Sequence, residues 1–89
     1  MPEIKLSISN TVGLHARPAA LFVQEAKKFT SDIIVLLGDS EADAKSILDL
    51  LMLGANQGSV ITVRAEGPDA EAALAALQDL QAHNFGESE

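Results

Sequence analysis

The sequence predicts an α+β fold: an open-faced sandwich in which a four-stranded antiparallel sheet is covered on one face by three helices. The hydrophobic patterns follow the order strand, helix, strand, strand, helix, strand, helix. The first and last strands bury only one face, which is typical of a mainly antiparallel sheet. The 89 residues suffice for one small domain, predicted over residues 1–89, and its three helices can cover only one sheet face.

A strand and an amphipathic helix are predicted at the start of the chain. Residues 3–9 alternate apolar and polar side chains, and Asn10 to Gly13 form a loop. The helix that follows, Ala16 to Lys28, places Lys27 and Lys28 in its last turn, where cations favour the helix dipole. Its predicted core stripe consists of Ala19, Phe22, Val23 and Ala26.

Turn residues separate the remaining elements. A buried strand spans residues 32–37, and after the turn LGDS a short partner strand spans residues 40–44. A short helix runs from Ser46 to about Leu53 and ends at Gly54. The last strand spans residues 60–66, and the tail after His83 is expected to be frayed. The core stripe of the final helix consists of Ala70, Ala73, Leu74, Leu77 and Leu80.

The net charge, the lengths of the apolar stretches and the absence of cysteine argue against several classes of partner and binding site. The formal net charge of −7, from 13 acidic and 6 basic residues, disfavours nucleic acid and anionic lipid as partners. No stretch approaches the roughly 20 apolar residues of a membrane span, so no membrane insertion is expected. The absence of cysteine excludes disulfides and thiolate metal sites and fits a reducing compartment. No cofactor is predicted.

The candidate site lies where the loop meets the first helix, in the stretch GLHARPAA of residues 13–20. The first N–H groups of a helix lack intrahelical partners, carry partial positive charge and bind phosphate well. Arg17 adds a planar fork of donors that suits phosphate oxygens, and Pro18 favours the helix start. Neutral imidazole is a nucleophile at neutral pH, so His15 could accept a phosphoryl group.

These residues alone leave other interpretations open. A histidine beside a helix start is commonly a cap or a surface residue. A metal site has less support, because the only other histidine is His83 and no carboxylates are spaced around His15 as ligands. A Ser–His–Asp triad has no support in the sequence.

The stretch around His15 resembles the active-site signature of HPr, the histidine-containing phosphocarrier family of the sugar phosphotransferase system. The resemblance covers nearly the whole chain, and HARP stands in register with KSI some thirty positions later, which makes it specific. The other matching segments are FTSDIIV at 29–35, AKSI at 44–47, LGANQGSVITV at 53–63 and AEGPDAEAAL at 65–74.

The resemblance implies a single phosphocarrier domain that carries a phosphohistidine and is not itself an enzyme in the strict sense. His15 would accept a phosphoryl group on Nδ1 from phosphorylated Enzyme I and pass it to the A components of sugar permeases. Arg17 would stabilise the phosphoryl group, and the backbone N–H groups of Ala16 and Arg17 would bind its oxygens. A cytoplasmic monomer is expected.

Ser46 has two interpretations. With Asp49 three positions later it resembles an N-cap in a capping box, although Glu or Gln is the usual partner. In many HPr proteins of Gram-positive type, the matching serine is phosphorylated by a dedicated kinase, and the modified protein recruits a transcriptional regulator. The resemblance therefore implies a regulatory site at Ser46, but the carboxylate of Asp49 would repel a phosphoserine in the same turn.

The short helix after Ser46 is more apolar than a purely structural helix needs to be. Leu50 and Leu53 can be buried against the sheet, which leaves Ile47, Leu48 and part of Leu51 exposed; burial of Leu51 against the first helix is the alternative. An exposed apolar patch indicates protein docking, and small residues on the first helix would let a partner come close. The predicted docking residues are Ala16, Ala20, Ile47, Leu48 and Leu51.

Two further functions stay open. A regulatory HPr-like protein would act mainly by binding, switched at Ser46 or by nitrogen-related partners. Family members of that kind lack the active-site histidine, whereas this chain keeps both His15 and Arg17. An unrelated small α+β ligand-binding domain would leave His15 unphosphorylated.

Overall fold

The computed structural model describes residues 2–8 and 16–83, and its elements follow the predicted order. The predicted loop at 10–13, Ser9 and the tail at 84–89 lie outside the described residues. No helix within the described ranges has the length and apolarity that crossing a membrane requires. The elements are β1 (Glu3–Ser7), α1 (Ala16–Ala26), β2 (Asp32–Leu37), β3 (Ser40–Asp43), α2 (Ile47–Leu53), β4 (Val60–Glu66) and α3 (Ala70–Ala82).

The four strands form one antiparallel sheet in the order β1-β4-β2-β3. Strand β4 lies between β1 and β2, and Val35 of β2 pairs with Val63 on one side and Ala42 on the other. The helices cover one face of this sheet, which confirms the predicted open-faced sandwich.

The core lies between the sheet and the helices. In β4 the side chains of Ile61, Val63 and Ala65 are buried, while those between them are half-buried. Phe22 of α1 is the largest of the fully buried side chains. The predicted stripes are buried on both long helices, at Ala19, Phe22, Val23 and Ala26 and at Ala70, Ala73, Leu74 and Leu77, with Leu80 half-buried.

Helix α1 ends earlier than predicted. It stops at Ala26, so Lys27 and Lys28 lie in the turn that follows and not in the last helical turn. The N–H groups of Lys28 and Phe29 donate to carbonyls three residues earlier, each at 3.2 Å, which takes the chain out of the α-helical pattern. The ammonium of Lys28 pairs with Glu25 at 3.1 Å instead of interacting with the helix end.

A polar cluster ties the connection before β2 to the start of α3. The Asp69 carboxylate accepts hydrogen bonds from the N–H groups of Thr30 and Ser31, each at 2.9 Å, and from both hydroxyls. Ser31 is buried, and Gly67 passes so close that a Cβ there would lie 2.5 Å from the Ser31 hydroxyl oxygen. The Asp69 side chain therefore links two connections and does not cap α3.

The free energy of unfolding is expected to fall as the pH drops below about 4. The hydrogen bond from the Ser31 hydroxyl, and next that from the Thr30 N–H, lower the pKa of Asp69 from 3.8 to about 2. A carboxylate whose pKa is lowered by folding contributes stability that is fully present above 3.8 and is lost as the pH falls through about 2.

Urea unfolding of the wild type and of Asp69→Asn, between about pH 2 and pH 5, measures this contribution. The free energy of unfolding of the variant should depend less on pH in that window than that of the wild type. Asp39→Asn, which removes an exposed carboxylate in the β2–β3 turn, should keep the wild-type dependence. Equal pH dependence in Asp69→Asn and the wild type would contradict the prediction.

Candidate functional site

The candidate site combines the start of α1 with the neighbouring helix α2. His15 lies outside the described residues, so its predicted role as the phosphoryl acceptor stays a prediction. Arg17, Ala16 and Ala20 lie on α1, and α1 packs against α2, which carries the other predicted docking residues. Among the described residues, no three metal-ligating side chains are grouped to hold a metal ion.

The start of α1 has the properties of an anion-binding helix end. The helix begins at Ala16, directly after His15, and both Ala16 and Arg17 are exposed. Its first turn contains no acidic residue, so no carboxylate in that turn offsets the partial positive charge of the N–H groups that lack an intrahelical partner. Pro18 is buried, which anchors the turn in the core, and the helix start requires no N–H from it. This turn can therefore bind an anion next to residue 15.

Ser46 caps α2, as predicted. Its backbone is extended, with φ −121° and ψ 112°, and its hydroxyl accepts a hydrogen bond from the N–H of Asp49 at 3.2 Å. Asp49 does not complete a capping box, because the N–H of Ser46 donates to the carbonyl of Asp43 at 3.0 Å, while the Asp49 carboxylate accepts from the N–H of Asp43 at 3.1 Å. At the other end Gly54 adopts the left-handed conformation, with φ 75°, that closes many helices.

Replacing Ser46 with alanine is expected to lower the free energy of unfolding by about 1 kcal/mol, because the N–H of Asp49 loses its acceptor. Ser46→Asn keeps a side-chain acceptor and should retain most of that stability. Urea unfolding of the two variants and the wild type measures the difference. If alanine and asparagine were equally stable, the hydroxyl would not stabilise the helix as a cap.

The exposed face of α2 contains the apolar residues predicted to be exposed there, and their docking role stays a prediction. Leu50 and Leu53 are buried, whereas Leu48 is 63 % exposed and Leu51 is 40 % exposed, which contradicts the alternative of a buried Leu51. Met52, at 77 %, is the most exposed of these side chains, and it was not among the predicted docking residues. Its position four residues after Leu48 is the helical spacing that could have revealed it. The apolar patch therefore consists of Ile47, Leu48, Leu51 and Met52.

Comparison with known proteins identifies the family. Residues 2–83 match the family model described as PTS HPr component phosphorylation site. The phosphocarrier protein HPr of Xylella fastidiosa is 41 % identical over 87 residues, which cover 98 % of each chain. The HPr-like protein Crh of Halalkalibacterium halodurans is 46 % identical over 77 residues, covering 86 % of this chain and 92 % of Crh.

The fold comparison agrees with the sequence comparison. The crystal structure of HPr-C-His from Thermoanaerobacter tengcongensis superposes with a TM-score of 0.94, at 49 % identity, and covers all of both chains. The alternative of an unrelated ligand-binding domain is therefore wrong. The chain belongs to the HPr family of phosphocarriers of the phosphotransferase system.

Proposed function

We propose that this chain accepts a phosphoryl group on Nδ1 of His15 from phosphorylated Enzyme I and passes it to the A components of sugar permeases. The observation that carries the proposal is the stretch GLHARP at the start of α1, in a chain of the HPr family. The exposed Arg17 in a first turn without acidic residues supports it, because that turn offers a cation and N–H groups that lack an intrahelical partner, next to residue 15 in the chain. The carrier is a cytoplasmic monomer.

The transfer uses the imidazole as its nucleophile. The lone pair of Nδ1 on neutral His15 attacks phosphorus, the bond between phosphorus and Enzyme I breaks, and the leaving group on Enzyme I keeps the electron pair. The proton on Nε2 stays in place, so the phosphorylated ring is positively charged and is itself a good leaving group for the next transfer. Arg17 pairs with two phosphoryl oxygens, and the N–H groups of Ala16 and Arg17 bind the remaining negative charge.

The docking residues would hold each partner while the phosphoryl group is transferred. The apolar patch on α2, with Ala16 and Ala20 on α1, gives each partner a modest apolar surface to cover. A carrier must leave one partner before it meets the next, and small transient interfaces allow this. Most of the catalytic machinery belongs to the partners.

Regulation at Ser46 is a second candidate, favoured by the relatedness to an HPr-like protein Crh. A kinase would phosphorylate the hydroxyl, and a transcriptional regulator would bind the product. In this chain the hydroxyl caps α2, so a phosphate there would lie in the same turn as the carboxylate of Asp49 and would place two negative groups close together.

Intact-mass spectrometry tests the proposed function. The protein is mixed with phosphoenolpyruvate and the Enzyme I of its own host, and the added mass is followed before and after mild acid. One acid-labile phosphoryl group is the expected result. No added mass would overturn the carrier function and favour the regulatory one, and an acid-stable group would indicate a hydroxyl such as that of Ser46.

A further inference from the structure

One side of α2 is lined by carboxylates. Asp32 of β2, Glu41 and Asp43 of β3, and Asp49 of α2 line a surface pocket of about 350 Å³. We call these four residues the acidic flank. The sequence separates them by up to 17 positions, and the pairing of β3 with β2 and the packing of α2 on β3 bring them together.

The acidic flank borders the apolar patch. Glu41 and Asp49 also line a second surface pocket, of about 300 Å³, whose wall includes Met52. Met52 is the most exposed side chain of the apolar patch. A protein that covers the patch therefore also meets these carboxylates.

The charge of the acidic flank is not balanced within its pocket. Lys45 is the one basic residue among the pocket-lining residues, against four carboxylates. Its ammonium donates to the backbone carbonyls of Phe29 and Ser31, at 2.8 and 2.9 Å. Within the described part of the chain, Asp32 and Glu41 have neither a hydrogen-bond nor an ion-pair partner for their carboxylates.

We propose that Enzyme I, when it docks on the apolar patch, presents a lysine or arginine side chain to the acidic flank. This inference rests on the proposed phosphocarrier function and adds the charge of the partner surface to it. An apolar surface alone gives little discrimination, whereas like charges at a contact disfavour a wrong partner and opposite charges accelerate the encounter. The negative charges of Glu41 and Asp49, which share a pocket with Met52, therefore favour a partner whose apolar surface has a basic rim.

The test compares two double variants that remove the same charge. Asp32→Asn with Glu41→Gln neutralises two carboxylates of the flank and breaks no hydrogen bond of the described fold. The control, Glu71→Gln with Asp79→Asn, lies on α3, which packs against β1, β4 and α1. The measurement is the KM of host Enzyme I for each carrier, together with kcat, at low salt and at about 0.5 M salt.

The flank variant should raise KM about 3- to 10-fold at low salt with kcat unchanged, and the rise should shrink at high salt. The control should change KM less than about twofold. An effect no larger than that of the control, or a lower KM, would overturn the inference, and a lower KM would indicate an acidic partner surface. If the wild type accepted no phosphoryl group, the proposed function would fail and this inference with it.

Discussion

His15→Ala is expected to abolish phosphoryl acceptance and to leave the unfolding transition close to that of the wild type. The variant removes the nucleophilic nitrogen, and no other group at the start of α1 can take its place, since guanidinium and backbone N–H groups are donors only. The fold should persist because the buried residues of α1 begin beyond this site, at Pro18 and Ala19. Intact mass after reaction with Enzyme I and phosphoenolpyruvate, and urea unfolding, measure the two effects.

The second histidine provides the matched control. His83 lies at the C-terminal end of α3, is exposed, and contacts the carbonyl of Asp79 at 2.8 Å. His83→Ala removes an identical side chain and should accept one acid-labile phosphoryl group, as the wild type does. Phosphorylation of His15→Ala would place the acceptor elsewhere, and loss of its cooperative unfolding would show that His15 is structural.

Local patterns in the sequence predicted most of the fold, because each element is buried on one side. In β4 the apolar residues recur every second position, and in α1 they recur with the 3.6-residue period of a helix. Each period shows which side chains face the core. The end of α1 was predicted two residues too late. The lysines after Ala26 are compatible with a last helical turn, and only the hydrogen bonds of the following turn show that the helix has already ended.

Contacts between residues distant in the chain were not predictable in this way. Asp69 precedes α3 directly, where aspartate is a common N-cap, but its carboxylate accepts hydrogen bonds from the N–H groups of Thr30 and Ser31, about 40 positions earlier. The acidic flank is scattered over three elements, and nothing in the local sequence indicates that Glu41 and Asp49 line the same pockets. Such contacts depend on the order of the strands and on helix packing, and the period of a local sequence pattern gives no information about either.

The same distinction between local patterns and long-range contacts applies to the candidate site. The N–H groups of a helix start and the guanidinium of Arg17 predict phosphate binding. The phosphorylation of His15 is predicted only by the resemblance of GLHARPAA to the family signature. The exposed face of α2 followed from counting: seven residues of which six are apolar cannot all be buried by a two-turn helix on a sheet. The position of the acidic flank beside that face could be seen only in the folded structure.

The two leucines Leu48 and Leu50 should separate docking from folding. Leu50 is fully buried, so Leu50→Ala is expected to lower the free energy of unfolding by about 2–5 kcal/mol through lost burial and the cavity left behind. Leu48 is 63 % exposed, so Leu48→Ala should change it by no more than about 0.5 kcal/mol. Urea unfolding gives both values for the same chemical change, two residues apart on one helix.

Phosphotransfer kinetics should rank the same two variants in the opposite order. At a temperature where both are folded, Leu48→Ala should raise the KM of Enzyme I for the carrier about fivefold, as expected for the loss of roughly 1 kcal/mol of contact energy, and Leu50→Ala should leave it nearly unchanged. If Leu48→Ala were the more destabilising variant, the exposed face would belong to the core. If it were stable and transferred normally, the partner would dock elsewhere and the apolar patch would have another role. Because one helix contains both residues, a general weakening of α2 cannot produce the expected reversal.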